Sequence, residues 1–239
     1  MQSIAPELGR EWLLERSTVV EQKCLDNDRQ ALNVVLGFDL PRVTSSYKGE
    51  RQLAKQARAY TAAQVELIIA HQSPRNGFST RLAEAAGLRA HELFTLRPAS
   101  ECPKTLDRDW SGNRFLGLSG ALFTVTGKGG LTREVLLPAA LAEQLEAWRR
   151  PKPVTVVDRG ISYLNFYEVA GGNAWSKSFS DASQRALGYS HGAHGLRHSY
   201  VQRRKDQLQQ AGLSEEQALL VDSQEVGHFR PDITQVYLR

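Results

Sequence analysis

With 239 residues, 41% apolar and 23% charged, the chain can bury one large core, or one large and one small, and is neither a disordered nor a fibrous sequence. Its two cysteines, Cys24 and Cys102, are far apart and form no CxxC pair, which excludes a disulfide framework and a zinc knuckle. The absence of a secretory pattern and of any apolar run near the roughly 20 residues of a membrane span predicts a cytoplasmic protein with no membrane partner. A formal net charge of +4 and an isoelectric point of about 9.1 suit a polyanionic partner.

In chain order, helical spacing runs from about Arg10 to Val35 through Trp12, Leu13, Val19, Val20, Leu25 and Leu32, and Gly37 and Pro41 end it. Pro41 to Ala59 is polar and basic, carrying Arg42, Lys48, Arg51, Lys55 and Arg58 against Glu50 alone, with Ser45, Ser46 and Gly49. It reads as an interdomain linker. This sets a boundary between a short N-terminal helical unit over 1–58 and a larger unit over 59–239.

Thr61 is expected to cap a helix through Val65 and Ile68, and Ser79 or Thr80 a second through Leu82, Ala86 and Leu93. From Ala121 the chemistry changes to that of strands. Phe123 and Val125, a Gly127-Lys128-Gly129-Gly130 turn, and Val135 and Leu137 predict a β-hairpin with Lys128 at its tip. Helices are expected at about 139–149, 178–187, 195–211 and 215–224, with a short one near 231–238. The predicted fold class is mainly α with a small antiparallel sheet.

The residues that could carry chemistry cluster late in the chain. His194-Gly195-Leu196-Arg197-His198 is followed by Val226-Gly227-His228-Phe229-Arg230 and by Tyr237, nine residues after His228. Upstream stand Gly87-Leu88-Arg89 with Glu92, and Lys128. Singly, each has an ordinary explanation: Arg89 with Glu92 is an i,i+3 ion pair, Lys128 a solvated turn residue, His194 a helix cap, His228 a core histidine, and Tyr237 the rim of a terminal helix. His191, His194 and His198 share a spacing that a metal could use. Gly192, Gly195 and the lack of a nearby Glu or Cys ligand argue against it, so no metal is predicted.

Taken together and in this order, the set resembles the tyrosine recombinase, or phage integrase, family: an Arg in a Gly-Leu-Arg helix, a hairpin Lys, His-x-x-Arg, Gly-His, and a Tyr nine residues later. The resemblance spans about residues 60–239, with weaker similarity upstream through Thr18 to Leu36. It implies a catalytic domain preceded by a reduced helical DNA-binding domain. It further implies site-specific cleavage and rejoining of double-stranded DNA through a 3′-phosphotyrosine on Tyr237, with neither cofactor nor metal.

In that scheme Arg89 and Arg197 would neutralise the phosphate and His228 would donate to it. Lys128 would protonate the leaving 5′-oxygen, His194 would assist at the phenol, and Glu92 would support an arginine. The implied partners are DNA, further copies of the chain as a tetramer on DNA (a monomer when free), and accessory DNA-bending or directionality factors. The implied setting is a mobile element in the nucleoid.

Two other functions fit the same residues: type IB topoisomerase-like relaxation, and a DNA-binding regulator that has lost turnover. Between Asp181 and Asp206 no acidic residue occurs, while Arg185, Arg203, Arg204 and Lys205 do; with Arg42, Lys48, Arg51, Lys55 and Arg58 they are the expected DNA contacts. The intervals from Arg89 to Lys128 and from Arg197 to His228 exceed those of compact recombinases, the second implying a helix extended through Gln207 and Gln210. Only Leu238 and Arg239 follow Tyr237, so packing of a C-terminal tail on a neighbouring subunit is not expected.

Overall fold

A computed structural model describes residues 5–47 and 57–238, and the chain divides into two compact units, Met1–Gln56 and Ala57–Arg239. Three of the expected DNA contacts, Lys48, Arg51 and Lys55, lie outside the described residues.

In the smaller unit the single helix expected from spacing is two, α1 (Pro6–Arg16) and α2 (Gln22–Leu36). The break is local chemistry: the Ser17 hydroxyl donates to Leu14 O at 2.6 Å and that of Thr18 to Glu15 O at 2.8 Å, capturing carbonyls that a continuing helix would need. Gly37, at φ 70°, ends α2 in the left-handed conformation. Leu13, Leu25 and Leu40 form the core, with Val20, Leu32 and Phe38 against it. Residues 41–47 are not a free linker. Ser45 Oγ donates to Val20 O at 2.6 Å and Ser46 N to Ser17 O at 2.9 Å, which ties them to this unit. Arg42, expected to meet phosphate, instead donates to both oxygens of Asp26, at 3.1 and 3.0 Å.

The larger unit opens with α3 (Ala62–Ala70), started by a reciprocal capping box between Thr61 and Gln64. α4 (Pro74–Ala86) is capped by Ser73, with Pro74 in its first turn, and not by Ser79 or Thr80. Those two lie inside the helix and return their hydroxyls to Arg75 O and Asn76 O. A 3-10 turn (Glu92–Thr95) leads into β1 (Arg97–Pro98), β2 (Ala121–Thr126) and β3 (Thr132–Leu137), an antiparallel sheet in the order β1-β2-β3. The expected hairpin is β2 and β3, in register from Ala121↔Leu137 to Thr126↔Thr132. On β3 the core face alternates as Arg133, Val135, Leu137.

α5 (Ala139–Ala147) gives way to a second hairpin, β4 (Arg149–Asp158) and β5 (Ile161–Tyr167), that the sequence analysis does not anticipate. Pro151 and Pro153 obscure β4. They are tolerated because β4 pairs with β5 alone and the register shifts between Arg149 and Val154. Arg159 and Gly160, at φ 49° and 76°, supply the two left-handed residues of a tight hairpin turn.

The chain closes with α6 (Gly172–Leu187), α7 (Gly195–Gln210), α8 (Glu215–Glu225), α9 (Pro231–Thr234) and a final 3-10 turn (Gln235–Leu238). α6 begins six residues before its expected start, and α7 extends to Gln210 as the long Arg197–His228 interval suggested. α3 and α4 pack on α6, and α4 also on α7; α7 carries α8 on one side and the final turn on another. Leu82, Leu93, Val125, Val135, Leu145, Trp175, Phe179 and Leu196 fill the main core, each contributing roughly 1.5–3 kcal/mol by leaving water. The fold is therefore mainly α with small antiparallel sheets. No helix among the described residues is long and apolar enough to cross a membrane.

Candidate active site

The site is built at the end of α4. Gly87 sits at φ 58°, and a Cβ there would lie 2.7 Å from the Tyr200 ring of α7, so only glycine lets the chain turn this tightly against that helix. Two residues on, Arg89 directs its guanidinium to Glu92: its Nη1 donates to Glu92 Oε1 and its backbone N to Oε2, both at 2.8 Å. Glu92 is 0% exposed and is shared. Arg133 Nη2 donates to Oε2 at 2.8 Å, and Arg197 Nη1 lies 3.9 Å from the same oxygen. Burial alone would raise the Glu92 carboxyl, but Arg133, Arg197 and Arg89 outweigh it and hold the group well below the usual carboxylate range. Three guanidiniums around one carboxylate leave a net positive pocket.

Arg197 comes from the first turn of α7 and is fully buried. Its Nη1 donates to Gly87 O at 2.6 Å and its Nη2 to Val226 O, while Nε has no partner among the described residues. Burial, then repulsion from Arg89, lowers it to about 10, so it stays charged at neutral pH. The guanidinium of Arg197, expected to neutralise a phosphate, is thus largely engaged by carbonyls. Arg89, with a side chain 26% exposed, is the guanidinium of the three that reaches solvent.

His228 follows Gly227, at φ 71°, whose absent Cβ leaves room for Arg133 Cδ at 2.9 Å. Its ring is pushed down to about 3 by burial and then by Arg197, Arg89 and Arg133, so it is neutral. One tautomer satisfies all its contacts. Nε2 accepts from Arg197 Nη2 and from the Tyr237 hydroxyl, each at 3.4 Å, and Nδ1 donates to Thr234 Oγ1 at 3.5 Å. Tyr237, 6% exposed, stacks on His228 at 5.4 Å between ring centroids and has His194 and His198 at 5.4 and 4.7 Å. His194 is open to solvent on one side, yet the protein around the rest of its ring, and then Arg197, push it down to about 4. It heads α7 without capping it through its side chain, and its ring meets the phenol without a hydrogen bond between them.

The structure therefore brings Arg89, Glu92, Arg197, His228, Tyr237 and His194 together from four separated segments. Lys128 stands exposed at the hairpin tip, outside this cluster. Gly127 beside it is close enough that a Cβ would meet Glu92 Oε1 at 3.5 Å and Arg89 Nη1 at 3.8 Å. Lys128 also borders a cavity of about 480 Å³ between the two hairpins, with His91, Arg97 and Tyr163.

Arg133 is the functional residue that sequence reasoning missed. Its signal was a charged residue on the inward face of a strand, alternating with Val135 and Leu137. Its second prong donates to Glu225 O at 2.6 Å, tying the hairpin to the loop that presents His228.

Arg204 requires correction as a DNA contact. It is 1% exposed and clasps Glu225 with two bonds of 2.9 Å, alongside the Tyr200 hydroxyl at 2.7 Å; from there it cannot reach a phosphate. Other members of the same acid-free run are surface residues already engaged: Arg185 on His71 O, Arg203 on Glu84 and Lys205 on Glu215. Arg58 is exposed. Among the described residues no His, Cys, Asp and Glu group is arranged to hold a metal ion.

No protein-family model matches the chain, and no curated protein matches it significantly. Solved structures do. The chain is similar to the XerH site-specific recombinase bound to its difH substrate before cleavage (19% identity, TM-score 0.54) and to XerH on palindromic difH after cleavage (17%, 0.57), in each case over 99% of this chain and 67% of the other. It is similar also to the Tn1549 transposon integrase in complex with transposon right-end DNA (14%, 0.51), over 99% of this chain and 81% of that one. The likeness is one of fold: this chain has the fold of the tyrosine recombinases.

Proposed function

We propose that the protein breaks and reseals a phosphodiester of double-stranded DNA with Tyr237 as nucleophile, acting as a site-specific recombinase. The observation that carries the reading is the Tyr237 hydroxyl on His228 Nε2, with Arg197 on the same nitrogen and Arg89 opening the cationic pocket to solvent. A phenol with a pKa near 10 needs a proton acceptor to attack at neutral pH; the His228 imidazole is at hydrogen-bond distance, and a phosphate entering the pocket would offset the arginines that hold its basicity down.

In the step this implies, Tyr237 Oη bonds to phosphorus as its proton passes to His228, and the bond from phosphorus to the 5′-oxygen breaks. Arg89 meets the charge growing on the non-bridging oxygens, and the buried charge of Arg197 adds to the positive field there from behind. Lys128, one residue beyond the Gly127 that abuts Arg89, supplies the proton to the leaving oxygen. The 3′-phosphotyrosyl ester keeps the bond energy, so the reverse step reseals the strand without a nucleotide or a metal. His228 thereby takes the proton-accepting task that the motif alone would give to His194. Exchange between two sites requires four cleaved strands, hence a tetramer on DNA, with the integration or excision of a mobile element as its setting. The similarity to structures of XerH on difH and of an integrase on transposon-end DNA supports duplex DNA as the substrate.

The test is incubation with nicked duplex DNA from the gene's own neighbourhood, in chelator, followed by a denaturing gel. A covalent protein–DNA species that disappears in Tyr237→Phe is the expected result. Duplex binding with no adduct on any such DNA would favour a regulator that only binds.

A further inference from the structure

We propose that His198 is a positioning residue for the nucleophile, bracing the Tyr237 ring so that its hydroxyl points at the cationic pocket; the proposal rests on the reading of Tyr237 as the attacking group. His198 lies on α7 directly after Arg197, is 4% exposed, and has the nearest of the three imidazoles to the phenol, 4.7 Å between centroids at an interplanar angle of 59°. It is held in turn by His194, edge-on at 5.7 Å and 83°.

His194, His198 and Gln202 follow one another at intervals of four residues and so form one ridge along α7. That ridge runs beneath the turn that carries the tyrosine. His194 and His198 meet the phenol ring, and Gln202 Nε2 donates to Tyr237 O at 2.9 Å. The ridge thus fixes the Tyr237 segment at both its side chain and its backbone.

What His198 contributes to the phenol is the shape of its ring, beside a hydrogen bond to the Tyr237 backbone that Gln202 duplicates. Its Nδ1 is buried with no hydrogen-bond partner among the described residues, a loss to the folded state that an apolar ring would avoid. Burial also pushes the imidazole down to about 4, so it stands neutral against the phenol. A tyrosine anchored only at its backbone and through one 3.4 Å contact to His228 retains rotation about its side-chain torsions. A flat ring packed against it removes that freedom before the phosphate arrives.

The experiment uses the full chain with His198→Ala and His198→Phe, each also made with 3-fluorotyrosine at position 237. Adduct rate at saturating nicked duplex, duplex Kd, Tm and the fluorine resonance are measured. With Ala the adduct rate should fall about 10- to 100-fold while Kd holds, and with Phe it should stay within about threefold of the parent, since a small misplacement is costly and a ring of similar shape prevents it. The fluorine line should move toward that of free fluorotyrosine with Ala and not with Phe. An Ala variant with the parental rate and fluorine line overturns the proposal, as does a Phe variant as slow as Ala. If the parent forms no adduct, the nucleophile reading fails; the fluorine lines still decide whether His198 braces the ring.

Discussion

Two buried carboxylates in the larger unit are held in much the same way and serve different ends. Glu92 is surrounded by Arg89, Arg133 and Arg197, and Glu225 is clasped by Arg204, the Tyr200 hydroxyl and Phe115 N. Around Glu225 nothing charged reaches water, because Arg204 is 1% exposed. Around Glu92 one arginine does, with Arg89 at 26%. Buried ion pairs of equal quality are weak grounds for assigning a role. Access separates the structural clasp from the site. Arg133 links the two, one prong on the Glu92 carboxylate and the other on Glu225 O, so the sealed cluster steadies the open one.

The comparison breaks most sharply at Glu225. Glu225→Gln strands Arg204 in the interior and should destabilise the unit by about 3–5 kcal/mol, with a matching fall in the urea midpoint and loss of adduct formation as the fold is lost. Arg89→Ala should do the opposite. Adduct formation falls by about 10²–10³-fold, as for removal of one charge-stabilising donor, with the urea midpoint nearly unmoved. A large loss of stability in that variant would make Arg89 a structural residue like Arg204.

Acid should distinguish the two clusters next. His198 and His228 are held at about 4 and about 3 in the fold against an ordinary value of 6.5, so the unfolded chain binds more protons between those limits. Stability is full above about pH 6.5 and declines as pH falls toward 4, by about 3 kcal/mol at most for the well-buried His198. His198→Phe should remove its own share of that slope in pH-dependent urea unfolding.

A third carboxylate, which no arginine clasps, sharpens the comparison from the alkaline side. Asp222 is fully buried, neither oxygen has a partner among the described residues, and burial followed by Glu225 raises it to about 8. The fold therefore prefers the protonated acid, and the cost to stability grows as pH rises from about 4 to 8. Asp222→Asn should raise Tm at pH 8 and leave it unchanged near pH 4. A Tm that is lower at both pH values would refute this account.

Much of this arrangement was legible in the residues themselves. Glycines at 87, 127, 129 and 130, the His-x-x-Arg run and the spacing of His228 to Tyr237 mark turns and helix starts, which are local events with local causes. What escaped depends on partners distant in sequence. Arg204 lies in a run of basic residues that looks like a surface, and only the arrival of Glu225 from α8 shows that it faces inward. Arg133 reads as a strand residue until two other segments supply its acceptors. β4 was hidden because its prolines violate strand propensity, and its edge position, which excuses them, is a property of the sheet. Ser79 and Thr80 look as good a cap for α4 as Ser73 in isolation, and Pro74 at the first helical position is the signal that decides for Ser73.

α7 does two jobs at once. Arg197, His198 and Gln202 serve the tyrosine's surroundings, while Tyr200 and Arg204, from the same sixteen-residue helix, lock into Glu225. Sliding it by a single residue would uncouple both sets, so it cannot serve as the travelling part of a reaction cycle. The short stretch beyond His228, turned by Phe229 at a φ of 54°, thus lies over a helix that is pinned on two sides.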